Sequence, residues 1–272
     1  MSEIVIIGGA GKTGRRVGDR LADKGIPVRF ASRSTPAVFD WAQPETWRGA
    51  IEGSASAYVT YQPDVAMPGA DQAIAGLCRV AQACGLEHLV LLSGRGEPGA
   101  LRAEEALVHS GLPYTIVRAS WFAQNFSEGF LVDGVLAGAI ALPADRVTEP
   151  FVDADDIADV VVAALTEDGH AGRVYEVTGP ESLTFAEAVE RISAAINRGI
   201  SYTPVTVEEC AAGMRQAGLP EEVVALLSEL FGTVLDGRNS DVMPGVQDAL
   251  GRPPRSFSDY VRTAATTGIW GN

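Results

Sequence analysis

The chain has 272 residues, 46% of them hydrophobic, and a formal net charge of −14. That length builds one large core, or a main domain with a smaller appendage. The negative charge excludes nucleic acid and anionic membranes as expected partners, and no apolar run approaches the roughly 20 residues that cross a bilayer.

Ile4, Val5, Ile6 and Ile7 predict a buried strand, and "GGAGKTG" (residues 8–14) follows at once. The GKT string suggests a nucleotide triphosphatase loop, but that loop needs a glycine where this chain has Ile6. The spacing Gly9-x-Gly11-x-x-Gly14 instead fits a dinucleotide-binding turn. Residues 12–25 then read as a helix, with Val17 and Leu21 on one face and Gly25 at its end. A strand, glycines and a helix N-terminus together offer N–H groups and partial positive charge to a pyrophosphate. The first 33 residues carry seven basic side chains, Lys12 among them, against three acidic ones, a positive island in an acidic protein.

The second strand ends in Ala31-Ser32-Arg33. NAD-selective sites end this strand with a carboxylate for the ribose 2′-hydroxyl. A guanidinium and a hydroxyl suit a 2′-phosphate, so NADP(H) is favoured over NAD(H). Beyond it, residues 37–40, 56–61, 88–93, 113–120 and 172–179 read as strands alternating with helices at 69–86, 99–111 and 155–167. This pattern predicts an α/β fold, a Rossmann-type doubly wound parallel sheet with ligands at the carboxyl ends of its strands. From residue 180 the pattern turns to helices, two of which open with the capping boxes Thr184/Glu187 and Thr206/Glu209. The expected division is a dinucleotide-binding domain at 1–179, with 121–150 contributing a substrate-side loop, and a mainly helical substrate region at 180–272. Three cysteines without metal-ligand spacing, and a chain that enters its first strand at once, predict no metal site, no leader peptide and a cytoplasmic protein.

Several stretches, in this order, resemble the NmrA-like atypical short-chain dehydrogenase/reductases: "GGAGKTG" (8–14), "ASRS" (31–34), "FDW" (39–41), "LVLLS" (89–93), "SGLPYTIVRASWFAQNF" (110–126), "FVDADDIADV" (151–160), "YEVTGPESLTFAEA" (175–188) and "GRPPRSFSDYV" (251–261). Within that family the chain is most similar to the ergot-alkaloid dehydrogenase branch, with type 2 NADPH:quinone oxidoreductases as cousins. The resemblance implies Gly8, Gly11 and Gly14 as the loop glycines, with Lys12 and Thr13 between them. It places Asp40 near the adenine, and Thr60, Tyr61 and Ser93 along the nicotinamide half.

One departure bears on mechanism. Many short-chain dehydrogenases protonate a carbonyl with a Tyr whose pKa is lowered by a Lys four residues on. The two lysines here are Lys12 and Lys24, and neither follows a tyrosine at that spacing. Where the family often carries a helical Lys, this chain has Arg102, which does not donate a proton at neutral pH. The remaining candidate catalytic groups are Tyr61, Ser93, Arg102 and His109. A conjugated acceptor, an iminium or quinone-like group, tolerates a site without a strong acid. Trp121, Phe122, Phe126 and Phe151 are expected to stack on such a substrate, with Arg118 and Asn125 orienting it. The expectation is an NADP(H)-dependent reductase of a conjugated or aromatic small molecule, with a homodimer compatible. The alternative is an NAD(P)-sensing regulator that acts through a protein partner, since family members that bind without turnover also lack the Tyr-Lys pair.

Overall fold

The structure is a computed structural model that describes residues 3–271. The first half alternates strand and helix: β1 (Ile4–Ile7), α1 (Lys12–Asp23), β2 (Val28–Ser32), β3 (Ala37–Val38), α2 (Trp47–Ile51), β4 (Ser56–Val59), α3 (Ala70–Ala83), β5 (His88–Gly94), α4 (Pro98–His109) and β6 (Tyr114–Ala119). Short elements follow: α5 (Asn125–Glu128), α6 (Val132–Ala137), β7 (Ala139–Leu142) and β8 (Thr148–Glu149). Then come α7 (Ala154–Thr166), β9 (Arg173–Val177), β10 (Leu183–Thr184), α8 (Phe185–Ala195), β11 (Ser201–Pro204), α9 (Val207–Gln216), α10 (Glu221–Thr233), α11 (Gly245–Leu250) and α12 (Phe257–Thr266).

The chain divides into two compact units. The first holds residues 1–119, 154–177 and 244–252. Its seven strands form one sheet in the order β3-β2-β1-β4-β5-β6-β9, parallel throughout. β1 is fully buried and central, as four consecutive β-branched residues covered on both faces require. Val5, Ile7, Ala57, Val59, Leu89 and Leu91 face a core closed by Ile74, Leu77, Cys78 and Ala81 of α3 and Ala100, Ala103 and Leu107 of α4. α1 and α7 pack side by side in this unit, and Arg20 holds both Asp155 and Asp159 at 2.6 Å.

The second unit holds residues 120–153, 178–243 and 253–272. It is mainly helical but also contains two small ladders, β7 with β11 (parallel) and β8 with β10 (antiparallel). Two-residue strands are too short to show periodicity in a sequence. Both expected capping boxes form: Thr184 and Thr206 accept from the backbone N–H of Glu187 and Glu209, whose carboxylates accept from the cap N–H groups in return. A third, Ser256 with Asp259, opens α12. The segment 244–252 falls in the first unit. There Gly245, at the start of its helix α11, packs so closely on the backbone of Glu176 that a Cβ would stand 2.2 Å from that carbonyl oxygen.

Candidate functional site

The glycine loop sits at the carboxyl end of β1. Gly8 has φ +86°, and a Cβ there would stand 1.9 Å from Thr60 Oγ1. Gly11 lies against the Gly8 carbonyl, to which its N–H donates at 2.9 Å. At Gly14 a Cβ would fall 2.4 Å from Gly8 O and 2.8 Å from Gly9 Cα. The frame Gly8, Gly11, Gly14 is therefore the one that shapes the turn, while Gly9 makes room for the Phe30 ring. Gly11 caps α1 without a side-chain hydrogen bond, and no acidic residue occupies the first turn. A helix N-terminus without a side-chain cap, at a turn whose only side chain is the Ala10 methyl, fits a pyrophosphate.

The other nucleotide-side residues divide sharply. Ser32 and Thr35 build a hydroxyl-rich turn after β2, with Ser32 N–H donating to Thr35 Oγ1 at 2.8 Å and Ser34 N–H to Ser32 Oγ at 3.2 Å. Arg33 is exposed at the tip of this turn and has no ion-pair partner among the described residues. Lys12 is half-buried at the first position of α1. Thr60, just past β4, bonds back to the Ile7 carbonyl at 3.1 Å, and so braces the loop against Gly8. The Asp40 carboxylate accepts from the Ala42 N–H at 3.0 Å, and its carbonyl accepts from Trp47 Nε1 at 2.8 Å. Asp40 thus shapes its own turn. Tyr61 packs on Trp41 with ring centroids 4.6 Å apart, and burial pushes its hydroxyl pKa up, with Asp71 adding to the rise. A groove of ≈ 560 Å³, floored by Trp41 and Trp47, runs along the outer face of α3, and none of the loop glycines lines it.

The Thr13 side chain turns inward from the loop. It is 3% exposed, and its Oγ1 accepts from the hydroxyl of fully buried Tyr58 at 2.8 Å. Ser93, Arg118 and Glu176 lie side by side in register on β5, β6 and β9. Ser93 Oγ donates to Glu104 Oε1 at 2.5 Å. Arg118 holds both oxygens of Glu104, at 3.0 and 2.5 Å, and reaches Glu176 at 2.6 Å. Arg95 binds the other oxygen of Glu176 at 3.2 Å. The Arg118 guanidinium is held charged by Glu104 above all, and its pKa rises from an already high value. Nε, Nη1 and Nη2 of Arg118 each donate to a carboxylate, so the guanidinium is fixed in a structural ion-pair network. Ser93 directs its only hydroxyl proton at Glu104.

The two remaining catalytic candidates, Arg102 and His109, both lie on α4. Arg102 is exposed on α4 and donates to its own helix at the Pro98 carbonyl, 3.2 Å away. His109 is the last residue of α4, the helix that returns from the carboxyl end of β5 to the start of β6. It therefore lies at the sheet edge opposite the glycine loop.

In the second unit Phe126 and Phe151 are 0% and 2% exposed, with ring centroids 5.7 Å apart, and both pack on Phe185 and Phe257. They are core residues and line no open surface. Trp121, Phe122 and Asn125 are half-buried. Trp121 stacks on Phe231 at 5.7 Å and 8°. Sequence reasoning missed Glu104, Glu176 and Tyr58. For Glu104 a signal existed, since it falls on the same helical face as Ala100, Ala103 and Leu107, where a carboxylate needs a partner.

Among the described residues no helix is long and apolar enough to cross a membrane, and no cluster of His, Cys, Asp or Glu could hold a metal ion. No family model matches the chain. It is 32% identical over 283 residues to (4-alkanoyl-5-oxo-2,5-dihydrofuran-3-yl)methyl phosphate reductase of Streptomyces griseus, covering 94% of this chain and 96% of that protein. Agroclavine dehydrogenase of Claviceps fusiformis is 29% identical, with 95% and 96% covered. The fold superposes on Citrobacter sp. triphenylmethane reductase, solved in complex with NADP(H), with a TM-score of 0.77 at 22% identity, covering 96% of this chain and 99% of that one. These relatives decide between the two readings of the sequence in favour of an enzyme. The chain belongs to the NmrA-like atypical short-chain dehydrogenase/reductases, as an NAD(P)H-dependent reductase.

Proposed function

We propose that this enzyme uses NADPH in preference to NADH and reduces a conjugated small molecule without a tyrosine–lysine acid pair, acting in the cytoplasm. The observation that carries the reading is the lack of a tyrosine–lysine acid pair. No tyrosine is followed four residues on by lysine, Ser93 gives its proton to Glu104, and His109 lies at the far edge of the sheet. When bound, the reduced nicotinamide supplies a hydride. A ketone that receives it becomes an alkoxide and needs prompt protonation. An iminium becomes a neutral amine, and a conjugated acceptor delocalises the charge, so orientation and an apolar wall suffice. The relative in Streptomyces griseus supports this, because its named substrate carries a ring double bond conjugated to a carbonyl. On the acceptor side we retain Trp121, Phe122 and Asn125, the partly exposed members of their segment.

The test is NADPH oxidation by the pure protein against quinones, iminiums, enones and simple ketones. Turnover is expected with conjugated acceptors and not with the ketones. Tyr61→Phe should leave kcat with the best acceptor within about tenfold of the wild type, less than the loss of a working general acid costs. Efficient ketone reduction, or a thousandfold fall in Tyr61→Phe, would overturn the reading.

The NADPH preference rests on Arg33 and Ser32 at the place where a selective NAD site has a carboxylate. Arg33→Ala is expected to weaken NADPH by about ten- to a hundredfold through loss of a charge-assisted pair, and to leave NADH nearly unchanged. Added salt should erode the wild-type preference, because the guanidinium is exposed. Dissociation constants from nicotinamide fluorescence decide the matter. Equal losses for both cofactors would remove the assignment.

A further inference from the structure

The hydrogen bond between Tyr58 and Thr13 lies directly beneath the glycine loop. Tyr58 stands on β4 next to Ile6 of β1, fully buried, and its hydroxyl donates to Thr13 Oγ1 at 2.8 Å. Thr13 is the second residue of α1 and falls between Gly11 and Gly14, the two glycines on either side of the helix start. Gly14, Val17 and Gly18 are buried on the same helix, and Ile4 and Ile6, on the face of β1 opposite to Val5 and Ile7, are buried as well. Burial pushes the Tyr58 hydroxyl pKa well up, so it stays protonated and remains a donor at any working pH.

A buried hydroxyl pair in an apolar layer costs desolvation twice, and once satisfied its directed bond rigidifies what packing alone leaves loose. Apolar contacts resist movement of a helix away from a sheet, but they are tolerant of small rotations about the helix axis. A hydrogen bond of this length is directional, and it joins the first turn of α1 to the central strands. The first-turn N–H groups must point at the pyrophosphate for the helix N-terminus to bind it. We propose that Tyr58 and Thr13 are positioning residues for the dinucleotide: their bond sets the rotation of the first turn of α1, and with it affinity for the pyrophosphate, without either side chain touching the cofactor.

The inference rests on the dinucleotide reading of the glycine loop, and its consequences are distinct from those of Arg33. The pyrophosphate is common to NADPH and NADH, so both should lose affinity by the same factor. Tyr58→Phe and Thr13→Val each remove the bond with little change in volume. Each should weaken both cofactors by about three- to tenfold, as expected for one directed hydrogen bond, and leave their ratio unchanged. The double variant should be no worse than either single one, since one bond is lost in all three. Thr13→Ser keeps the acceptor and should bind like the wild type.

The experiment is fluorescence titration of NADPH and NADH with wild type and the four variants, alongside thermal melts. Variants that melt earlier but bind both cofactors with wild-type affinity would show a purely structural bond and overturn the proposal. So would a loss confined to NADPH, or additive losses in the double variant. Should Tyr58→Phe fail to fold, Thr13→Val against Thr13→Ser carries the same comparison at a site on the edge of the core. A wild-type protein that binds neither cofactor would instead overturn the dinucleotide reading itself.

Discussion

Gly14→Ala should abolish useful cofactor binding while the protein stays folded. The added Cβ would stand 2.4 Å from the Gly8 carbonyl oxygen and 2.8 Å from Gly9 Cα, both backbone atoms that no rotamer can move aside. Relief requires the start of α1 to withdraw from the end of β1 by most of an ångström. A helix interior favours alanine over glycine by roughly 1 kcal/mol, which offsets part of the global cost. The loop itself gains nothing. Because the first-turn N–H groups and Gly8 form one surface, a displacement of that size is expected to cost on the order of a hundredfold in kcat/KM for NADPH. Gly25→Ala is the control, since that glycine lies at the far end of the same helix with nothing within 4 Å of its Cβ position, although its φ of +71° adds local strain. Cofactor binding within threefold of wild type in Gly14→Ala would show that the loop is not the phosphate site.

The second large effect concerns stability. Glu104→Gln should lower the unfolding free energy by about 3 kcal/mol, the lower part of the range for breaking a buried ion pair. Glu104 is 4% exposed and accepts from Ser93 and, through both oxygens, from Arg118. The amide leaves the guanidinium facing one NH₂ group and strips Ser93 of an ionised acceptor. Arg118 keeps Glu176, which is why the cost stays below the upper limit. For a unit of this size the melting temperature should fall by about 6–12 °C. Replacing Glu104 and Arg118 together by leucine and methionine should recover part of the loss, because no unpaired charge then remains buried. A melting temperature within 2 °C of wild type in the single variant would contradict the assignment of this network to the core.

These expectations show which parts of the molecule were legible in the sequence. The parallel sheet could be read because each buried strand is a short apolar run bounded by glycine or a polar turn, as in Ile4–Ile7. The capping boxes at Thr184 and Thr206 are local and could be read to the residue. The small ladders of the second unit were not legible. Thr148-Glu149 and Leu183-Thr184 become strands only through each other, across more than thirty residues of chain. The same limit applied to the site. Gly8 and Gly14 announce themselves by chemistry, since only glycine fits. Arg118, Phe126 and Phe151 are residue types that serve binding and packing equally well. Their roles depended on Glu104, Glu176 and Phe257, which the order of residues along the chain does not place beside them.

The central claim is that a hydride passes from NADPH to a conjugated carbon in a site without an acid pair. It is tested most directly with NADPH deuterated at nicotinamide C4, in each of its two epimers, and the carbon acceptor that turns over fastest. The account predicts that one epimer delivers a single deuterium to the conjugated carbon of the product for each NADP⁺ formed, at a rate little changed in Tyr61→Phe. NADPH consumption with no deuterium on carbon from either epimer, or no consumption with any conjugated acceptor, would contradict it.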